Sequence, residues 1–342
     1  MIKLWLERGA WASAKARRYF SQISPPDVRR IGVIRHAALG DMVLVRPFLA
    51  EIKRYFPNAQ IVLSVVSNYM VGIPYDLVDS VHVTPGNNVR GVTLLSRIKA
   101  AREIGPVDIL FDLADTTRSR YICIFAVAKV RIGMSYNPFL SRLLHDAAVW
   151  RSDFVFEADN MLHTLMLLGA TPSDPVSFSW NAITDGSNPR ESRILYFPFA
   201  STSQKMWPIK NWVELIEHSC RLWPHHKHVV LSGSDTWEIA ANVFRDDFQI
   251  RSVNVEFAAP CSLDDLLKSI QSSSLLISND TGVRNLAIAL GTSTVGIFFN
   301  TVPYRYWPHG GRHISVFRSD GDVPATEEVV KSMFNQLSHE PS

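Results

Sequence analysis

The stretch from Leu275 to Phe299, LLISNDTGVRNLAIALGTSTVGIFF, constrains the fold of this chain more than any other. Leu275 to Ile277 is a short apolar run that suits a buried strand, and Ser278 to Gly282 interrupts it with turn chemistry. Val283 to Leu290 has apolar residues at helical spacing and ends before a glycine. Thr294 to Phe299 is a second apolar, β-branched run. The stretch therefore predicts a βαβ unit within an α/β protein.

The turn of this unit suits the binding of an anion. Backbone N–H groups at the start of a helix have no partner inside the helix, and the helix dipole adds positive potential there. Gly282 would let a phosphate approach the backbone, and Asp280 or Thr281 can cap the helix. A capped helix start without a ligand is the alternative, which this turn by itself does not exclude.

Length and composition predict a two-domain globular protein. The chain has 342 residues, more than one ordinary core holds, with 46% apolar and 20% charged residues. Its three cysteines lie far apart and show no metal-ligand spacing, which favours a reducing cytoplasm. Residues 1–22 alone carry a formal charge of +4, while the whole chain carries +3. Because the rest of the chain is nearly neutral, nucleic acid is not expected as a partner.

The basic N-terminal segment, residues 1–22, also contains interleaved aromatic residues such as Trp5 and Trp11. Such a segment can rest on an anionic membrane face, although Arg8 and Lys15 fall on the same helical side as its apolar residues. A helix packed on the body of the protein is the alternative, and both interpretations stay open at this point. No run approaches the ~20 apolar residues of a membrane span.

The chain before residue 170 predicts the same alternation of strand and helix. Ile31 to Ile34 is a strand candidate that leads into the turn Arg35-His36-Ala37-Ala38-Leu39-Gly40-Asp41, and Met42 to Tyr55 follows as a helix. Two such alternations, separated by a polar segment, predict two doubly wound domains facing a cleft. The predicted boundaries are 1–28 for a tail, 29–170 for the first domain, 171–192 for a linker, 193–325 for the second domain and 326–342 for a C-terminal helix.

Other elements follow from the same periodicities. Further strands are predicted at Gln60–Val66, Ser80–Thr84, Val107–Leu113, Val130–Ile132, Arg193–Phe197, Lys227–Leu231 and Val253–Phe257. Further helices are predicted at Val92–Glu103, Thr117–Ala128, Asp159–Leu168, Ile209–Leu222, Thr236–Phe244, Leu263–Gln271 and Glu327–Leu337.

Polar residues follow several of these strands and are candidates for chemistry. Asp41 comes after Gly40 and would act as a general base if it faced the cleft, although a carboxylate in the first turn of a helix also serves the dipole. Ser201, Thr202 and Lys205 follow another strand and suit phosphate oxygens, with a solvated loop as the alternative. No G-x-G-x-x-G fingerprint and no Tyr-x-x-x-Lys pair is present, which disfavours a sugar-nucleotide epimerase.

Taken together and in order, these stretches resemble glycosyltransferase family 9, the ADP-heptose:lipopolysaccharide heptosyltransferases, over about residues 30–320. The resemblance rests on a Leu-Gly-Asp turn after the first strand, a lysine just before Trp-Pro, a Gly-rich turn with an acidic residue, and an Asp-Ser/Thr-Gly turn before an Ala-rich helix. The matching residues are Leu39, Gly40 and Asp41, then Lys205, Trp207 and Pro208, then Gly233 and Glu238, and finally Asp280, Thr281 and Gly282. One position departs from the family, because Asn285 stands where a histidine is usual.

The resemblance implies a GT-B fold of two Rossmann-like domains and inverting transfer of a sugar from a nucleotide diphosphate. Asp41, beside Gly40, would accept the proton of an acceptor sugar on the first domain, and Lys205 would stabilise the leaving diphosphate. The other implied donor-binding residues are Ser201, Thr202, Gly233, Glu238, Asp280, Thr281, Gly282 and Asn285. Neither a cofactor nor a metal ion is implied, since Lys205 and a helix terminus would supply the positive potential.

The implied partners are a nucleotide-sugar donor, with ADP-heptose favoured, and a lipid-linked lipopolysaccharide core. The implied place is the cytoplasm, with peripheral contact between residues 1–22 and the inner membrane as a further expectation. Asn285 can donate a hydrogen bond but carries no charge, so a non-catalytic member that binds a nucleotide or glycan is the alternative.

Overall fold

The structure, a computed structural model, describes residues 1–180, 191–233, 236 and 254–338. The chain divides into two compact units, Met1–Ser179 and Trp180–Ser342. Each unit contains its own sheet with helices packed against it. The α/β class expected from the sequence is therefore confirmed, with one Rossmann-like sheet in each unit.

The N-terminal unit is built on a seven-stranded sheet in the order β1-β7-β6-β5-β2-β3-β4. All neighbouring pairs are parallel except β1 with β7. The central strands are continuous apolar runs because helices cover both of their faces. The strands are β1 Ala10–Ala12, β2 Arg30–Ile34, β3 Gln60–Val66, β4 Ser80–Thr84, β5 Val107–Asp112, β6 Ala128–Ser135 and β7 Ala147–Trp150.

The helices of this unit are α1 Ala14–Phe20, α2 Leu39–Val43, α3 Arg46–Tyr55, α4 Leu94–Glu103, α5 Thr117–Phe125, α6 Pro138–Leu144 and α7 Glu157–Met166. The chain runs outward through β2, β3 and β4, and then returns through β5, β6 and β7 on the other side. Right-handed crossovers therefore place α4, α5 and α6 on one face of the sheet and α3 on the other, where it contacts α7.

The single helix predicted from Met42 to Tyr55 is wrong, because the structure has two helices, α2 and α3, with a turn between them. Pro47 lies in the first turn of α3, where its missing N–H costs nothing. Placed inside one continuous helix, its ring would clash with the carbonyl of Val43 and break the helix.

The N-terminal segment is folded onto this unit. β1 pairs antiparallel with β7, and Ile2 and Phe20 are buried. The backbone N–H of Ile2 donates to the carbonyl of Phe20 at 2.9 Å. Within the described part of the chain, no helix combines the length and the apolar character that a membrane crossing requires.

The C-terminal unit is built on a parallel six-stranded sheet in the order β10-β9-β8-β11-β12-β13. The βαβ unit predicted from Leu275 to Phe299 is present as β11, α10 and β12. The strands are β8 Glu191–Phe197, β9 Lys227–Val230, β10 Val255–Phe257, β11 Ser273–Asn279, β12 Ser293–Ile297 and β13 His313–Val316. The helices are α8 Ile209–Leu222, α9 Leu263–Gln271, α10 Gly282–Ala289 and α11 Thr326–Leu337. Nearly all of the predicted helix Thr236–Phe244, and residues 181–190 of the predicted linker, lie outside the described residues.

Candidate active site

Each sheet has one point where the strand order reverses direction. In the N-terminal unit β2 connects to β3 on one side, while β5 lies on its other side. In the C-terminal unit the same relationship holds for β8 and β11. Ligands of open α/β sheets bind outside the carboxyl ends of the strands at such points. The predicted residue Asp280 comes immediately after β11, and Asp41 and Lys205 lie in the segments that follow β2 and β8.

Asp41 lies in the first turn of α2, in the segment that follows β2, and Arg35 contacts its backbone. The guanidinium of Arg35 donates to the carbonyl oxygen of Asp41 from Nε at 3.3 Å and from Nη2 at 3.1 Å. Nη1 of Arg35 donates to the carbonyl of Leu113, beyond β5, at 3.0 Å. Arg35 thus connects the turn that carries Asp41 to the end of the neighbouring strand.

A buried carboxylate balances this guanidinium. Nη1 of Arg35 also donates to Oε1 of Glu157 at 2.9 Å, and Arg151 contacts the same oxygen at 2.5 Å. Glu157 is fully buried and Arg35 is 4% exposed. Removing one partner of a buried ion pair leaves an uncompensated charge, so the position of Arg35 is strongly fixed.

His36 belongs to the same turn and contacts Thr116, which caps α5, and Ser64 of β3. Its Nδ1 is 3.2 Å from Oγ1 of Thr116, and its Nε2 is 3.5 Å from Oγ of Ser64. Burial lowers the pKa of His36 to about 4, despite an opposing effect from Asp112. The imidazole is therefore neutral near pH 7 and contributes hydrogen bonds rather than charge.

In the C-terminal unit, Lys205 and Asp280 form an ion pair across the two central strands. Nζ of Lys205 is 2.5 Å from Oδ2 of Asp280, and the hydroxyl of Thr301 donates to the same oxygen at 2.6 Å. Asp280 is 9% exposed, and the side chain of Lys205 is 23% exposed. The side chain of Lys205 is therefore partly exposed, while that of Asp280 is nearly enclosed.

The loop that carries Lys205 is attached to β11 by Asn279. The Asn279 side chain accepts from the backbone N–H of Trp207 at 3.0 Å and donates to the carbonyl of Pro198 at 2.7 Å. Trp207 is fully buried, and its indole N–H donates to the carbonyl of Pro324 at 2.8 Å. These contacts fix both ends of the loop and so place Lys205 next to Asp280.

The helix that follows β11 begins as the sequence predicts. The side chain of Thr281 caps α10 by accepting from the N–H of Val283 at 3.1 Å, so Thr281 rather than Asp280 is the cap. Gly282 is half-buried at the first helical position. Asn285 is only 4% exposed, so little of its side chain is open to a ligand.

Arg284 anchors the same helix to the loop after β12. Its guanidinium donates to Oγ of Ser315 at 3.1 Å and to the backbone carbonyl of Tyr306, and it lies 5.3 Å from the ring of Phe298. Burial lowers the pKa of Arg284 to about 10. The side chain is therefore part of the interior that supports the helix start.

Other predicted donor residues lie around the same strand ends. Ser201 and Thr202 follow β8 and have exposed side chains. Gly233 follows β9, the neighbour of β8, and its N–H donates to the hydroxyl of Thr236 at 2.9 Å. Glu238 lies outside the described residues.

Among the described residues, one buried group of side chains has the chemistry of metal ligands. Asp112, Cys123 and His145 are buried together, with Oδ2 of Asp112 3.5 Å from both Cys123 Sγ and His145 Nε2. Burial opposes the charge of Asp112, but the hydrogen bond and charge of His145 hold its pKa below its ordinary value. Ser119 donates to the same oxygen at 2.9 Å, so this carboxylate is already used to attach α5 and the end of α6 to β5.

The sequence also contains one Asp-x-Asp pattern, at Asp320 and Asp322. Arg318 donates to the carboxylate of Asp320 at 2.8 Å, and this contact is the main cause that lowers the pKa of Asp320 to about 2. The backbone N–H of Asp322 donates to the same carboxylate at 3.0 Å. The pattern therefore forms an exposed turn that is closed by Arg318.

Sequence reasoning missed four residues that position the predicted ones: Arg35, Asn279, Arg284 and Thr301. The residue type of each did not indicate this role in the sequence, because the role depends on partners that are distant along the chain. Arg35 was inside the quoted turn, and its place immediately after a buried strand was the one available signal.

The sequence model of glycosyltransferase family 9 (heptosyltransferase) matches residues 97–333, which is more than half of the chain. No curated protein matched the sequence. Many solved structures are similar in fold, and three of them are described below; their sequence identities are too low to show more than the fold.

The first is a glycosyl transferase family 9 protein from Veillonella parvula, with a TM-score of 0.72 and 20% identity, covering 93% of this chain and 99% of that one. The second is Escherichia coli heptosyltransferase WaaC with ADP, with a TM-score of 0.73 and 16% identity; the match covers 90% of this chain and 99% of that one. The third is Escherichia coli ADP-heptose lps heptosyltransferase II, with a TM-score of 0.67 and 17% identity, covering 92% and 100%.

Proposed function

The chain belongs to glycosyltransferase family 9, the heptosyltransferases, and we propose that it transfers heptose from ADP-heptose to a lipopolysaccharide or lipooligosaccharide core. Membership in the family makes it a glycosyltransferase. The choice of sugar and nucleotide is supported by the similar fold of two Escherichia coli enzymes whose names specify ADP or ADP-heptose. The observation that carries the proposal is the Lys205–Asp280 pair, which lies where β8 and β11 end and where α10 begins.

The C-terminal unit binds the donor. The ammonium of Lys205 contacts the diphosphate, and the backbone N–H groups at Thr281 and Gly282 add the positive end of α10. The hydroxyls of Ser201 and Thr202 donate to phosphate oxygens. We assign Asp280 to the orientation of Lys205, because a carboxylate facing a phosphate would repel it. Gly233, Glu238 and Asn285 remain proposed donor contacts, with Glu238 binding the ribose.

The N-terminal unit binds the acceptor, and Asp41 acts as the general base. Its carboxylate accepts the proton of the acceptor hydroxyl as the acceptor oxygen bonds to the anomeric carbon. The bond from that carbon to the diphosphate breaks on the opposite side, so configuration inverts and ADP leaves with its electron pair. Lys205 and the start of α10 stabilise the charge that develops on the leaving oxygen, which requires no metal ion in this proposal.

The acceptor is lipid-linked in this proposal, so the protein works at the cytoplasmic face of the inner membrane. Arg17 and Arg18 of the N-terminal segment are exposed and can face an anionic surface, and Lys15 is exposed beside its partner Asp146. Residues 1–22 are therefore the first candidate for a peripheral contact.

One specific observation favours a second function. Asn285 replaces the histidine that is usual in the family and is buried, so a charged group is missing from that position. A protein that binds a nucleotide or glycan without transferring sugar would be compatible with this change. Release of ADP in the presence of acceptor separates the two functions.

The test is a thermal-shift screen followed by an assay of transfer. Purified protein is heated with ADP, UDP, GDP or CMP, and stabilisation by mass action identifies the nucleotide. The same protein is then incubated with ADP-heptose and a delipidated core oligosaccharide, and the product mass is measured. The proposal predicts selective stabilisation by ADP and a product one heptose heavier than the acceptor. Stabilisation by ADP without transfer would support the second function, and stabilisation by another nucleotide would refute the donor assignment.

A further inference from the structure

The helices α4, α5 and α6 form one layer on one face of the N-terminal sheet, here called the α4–α6 layer. α5 contacts both α4 and α6. Ala101 of α4 and Ile122 of α5 belong to the same hydrophobic cluster, and Leu144 of α6 packs against that cluster. The apolar residues on the inner side of the layer belong to the core of the unit. The proposed catalytic and donor-binding residues do not include any on its outer side.

The outer side of the layer carries large apolar side chains. On α6, Phe139 is 74% exposed and Leu143 is 68% exposed, and their spacing of four residues places them on one side of the helix. Leu94 and Leu95 at the start of α4 are 58% and 78% exposed, and Ile124 on α5 is 55% exposed. Single exposed apolar residues are ordinary, but their concentration on three adjoining helices indicates a surface that contacts another apolar medium.

The same layer is strongly basic. Its helices carry six basic residues and one acidic residue, which are Arg97, Lys99, Arg102, Arg118, Arg120 and Arg142 against Glu103. The asymmetry extends to the whole unit, because residues 1–179 have a formal charge of +6 and residues 180–342 have −3. A surface that combines apolar and basic side chains is complementary to anionic lipid headgroups above acyl chains.

The edge of the layer is continuous with the N-terminal segment. The guanidinium of Arg142 lies 6.0 Å from the ring centroid of Trp11 in β1. The N-terminal segment adds basic side chains, but Ile2, Ala16 and Phe20 are buried in the unit and are not available for insertion. Met1 and Trp5 are exposed in the N-terminal segment, whereas the α4–α6 layer exposes five large apolar side chains and so offers more apolar surface to a membrane.

We propose that the α4–α6 layer docks on an anionic lipid bilayer, with Phe139 and Leu143 entering the headgroup region and the basic residues meeting lipid phosphates. The proposal rests on the proposed function, since a lipid-linked acceptor is presented at such a surface. It differs from a contact through residues 1–22 alone, because it names α6 as the inserted element. Binding requires both parts, because a seven-residue helix buries little apolar area and surface charge is screened by salt.

The test measures co-sedimentation of the full chain with vesicles, in the absence of donor and acceptor. Vesicles of phosphatidylcholine alone are compared with vesicles containing about one third phosphatidylglycerol. The variants are the double substitution Phe139→Ser/Leu143→Ser and the charge reversal Lys99→Glu/Arg142→Glu. The matched control is Met166→Ser/Val323→Ser, which removes two exposed apolar side chains elsewhere, one on α7 on the opposite face and one in the C-terminal unit.

We expect the wild type and the control to bind the phosphatidylglycerol vesicles, with binding reduced several-fold in 0.5 M salt, on the order expected from screening. Each layer variant should lose about tenfold or more in partition coefficient while keeping wild-type activity on a delipidated acceptor. The proposal is overturned if the wild type does not bind, or if the layer variants bind as the wild type does.

It is also overturned if the layer variants instead abolish self-association of the wild type in analytical ultracentrifugation, which would make the layer an interface between copies. Because vesicle binding needs no sugar nucleotide, these outcomes are separate from failure of the transfer assay.

Discussion

Arg35 holds Asp41 through the backbone, with two N–H groups of one buried guanidinium directed at the Asp41 carbonyl oxygen at 3.1 and 3.3 Å. Arg35 contacts the backbone carbonyl of Asp41 rather than its carboxylate, and the charge of Arg35 is paired with Glu157. This arrangement fixes the turn without pairing the side chain proposed as the base. In our proposal Arg35 therefore has a positioning role, because it holds the turn that carries the general base.

Arg35→Lys keeps the positive charge beside Glu157 but cannot make the same fork of hydrogen bonds. We expect kcat to fall about tenfold, the equivalent of one lost hydrogen bond of ~1.4 kcal/mol, while the Kd for ADP changes less than about twofold. Steady-state kinetics and calorimetry measure the two quantities. Arg54→Lys, at an arginine whose side chain is 56% exposed, is the control. Equal losses in kcat and ADP affinity would show that Arg35 has only a general structural role.

Asp41→Asn preserves the backbone carbonyl that Arg35 contacts, so the fold and the donor site should be unaffected. General base catalysis is worth about 10²- to 10⁴-fold, and kcat should fall by that range. The Kd for ADP should stay within about twofold of the wild-type value, since ADP binds the other unit in our proposal. Asp264→Asn, at an exposed carboxylate in the first turn of α9, is the control. A variant that keeps wild-type kcat would remove Asp41 from the base role.

Lys205→Met removes the ammonium and keeps most of the apolar stem. A charge-assisted hydrogen bond contributes about 1.5–3 kcal/mol, so the Kd for ADP should rise about tenfold or more. Asp280 keeps the hydroxyl of Thr301 as a partner, which limits the loss of stability. Lys268→Met on α9 is the control, because that side chain is 55% exposed. Calorimetry measures the Kd for ADP, and an unchanged value would refute the assignment of Lys205 to diphosphate binding.

Much of the fold could be predicted from local patterns. The bounds of α8 agree with the prediction because the helix is amphipathic and because Pro208 precedes it and Pro224 follows it. Four elements that were not predicted are β1, β7, β13 and α6. β1 has three residues and exists through its pairing with β7, and α6 has seven residues, too few for a periodic signal.

The candidate site could be predicted only in part, for a related reason. The sequence located Lys205 and Asp280, but their contact joins residues 75 positions apart and depends on β8 lying beside β11. The Arg35–Glu157 pair spans 122 positions. Side chains that position a site through such long-range contacts leave no local pattern, whereas the turns they support do.

The neutral state of His36 predicts a pH dependence of stability. Burial lowers its pKa to about 4 in the folded protein, against about 6.5 in the unfolded chain. The unfolded state therefore binds more protons between these values, so the free energy of unfolding is highest above pH 6.5 and falls as the pH drops to 4. The full contribution of His36 to the free energy of unfolding is on the order of 3 kcal/mol.

The variant His36→Gln cannot take up this proton and retains a hydrogen-bonding amide for Thr116 and Ser64. Denaturant unfolding at pH 7 and pH 4.5 should show a smaller loss in this variant than in the wild type, whereas the exposed His225→Gln control should behave as the wild type does. An equal loss in all three proteins would mean that His36 is protonated in the folded state.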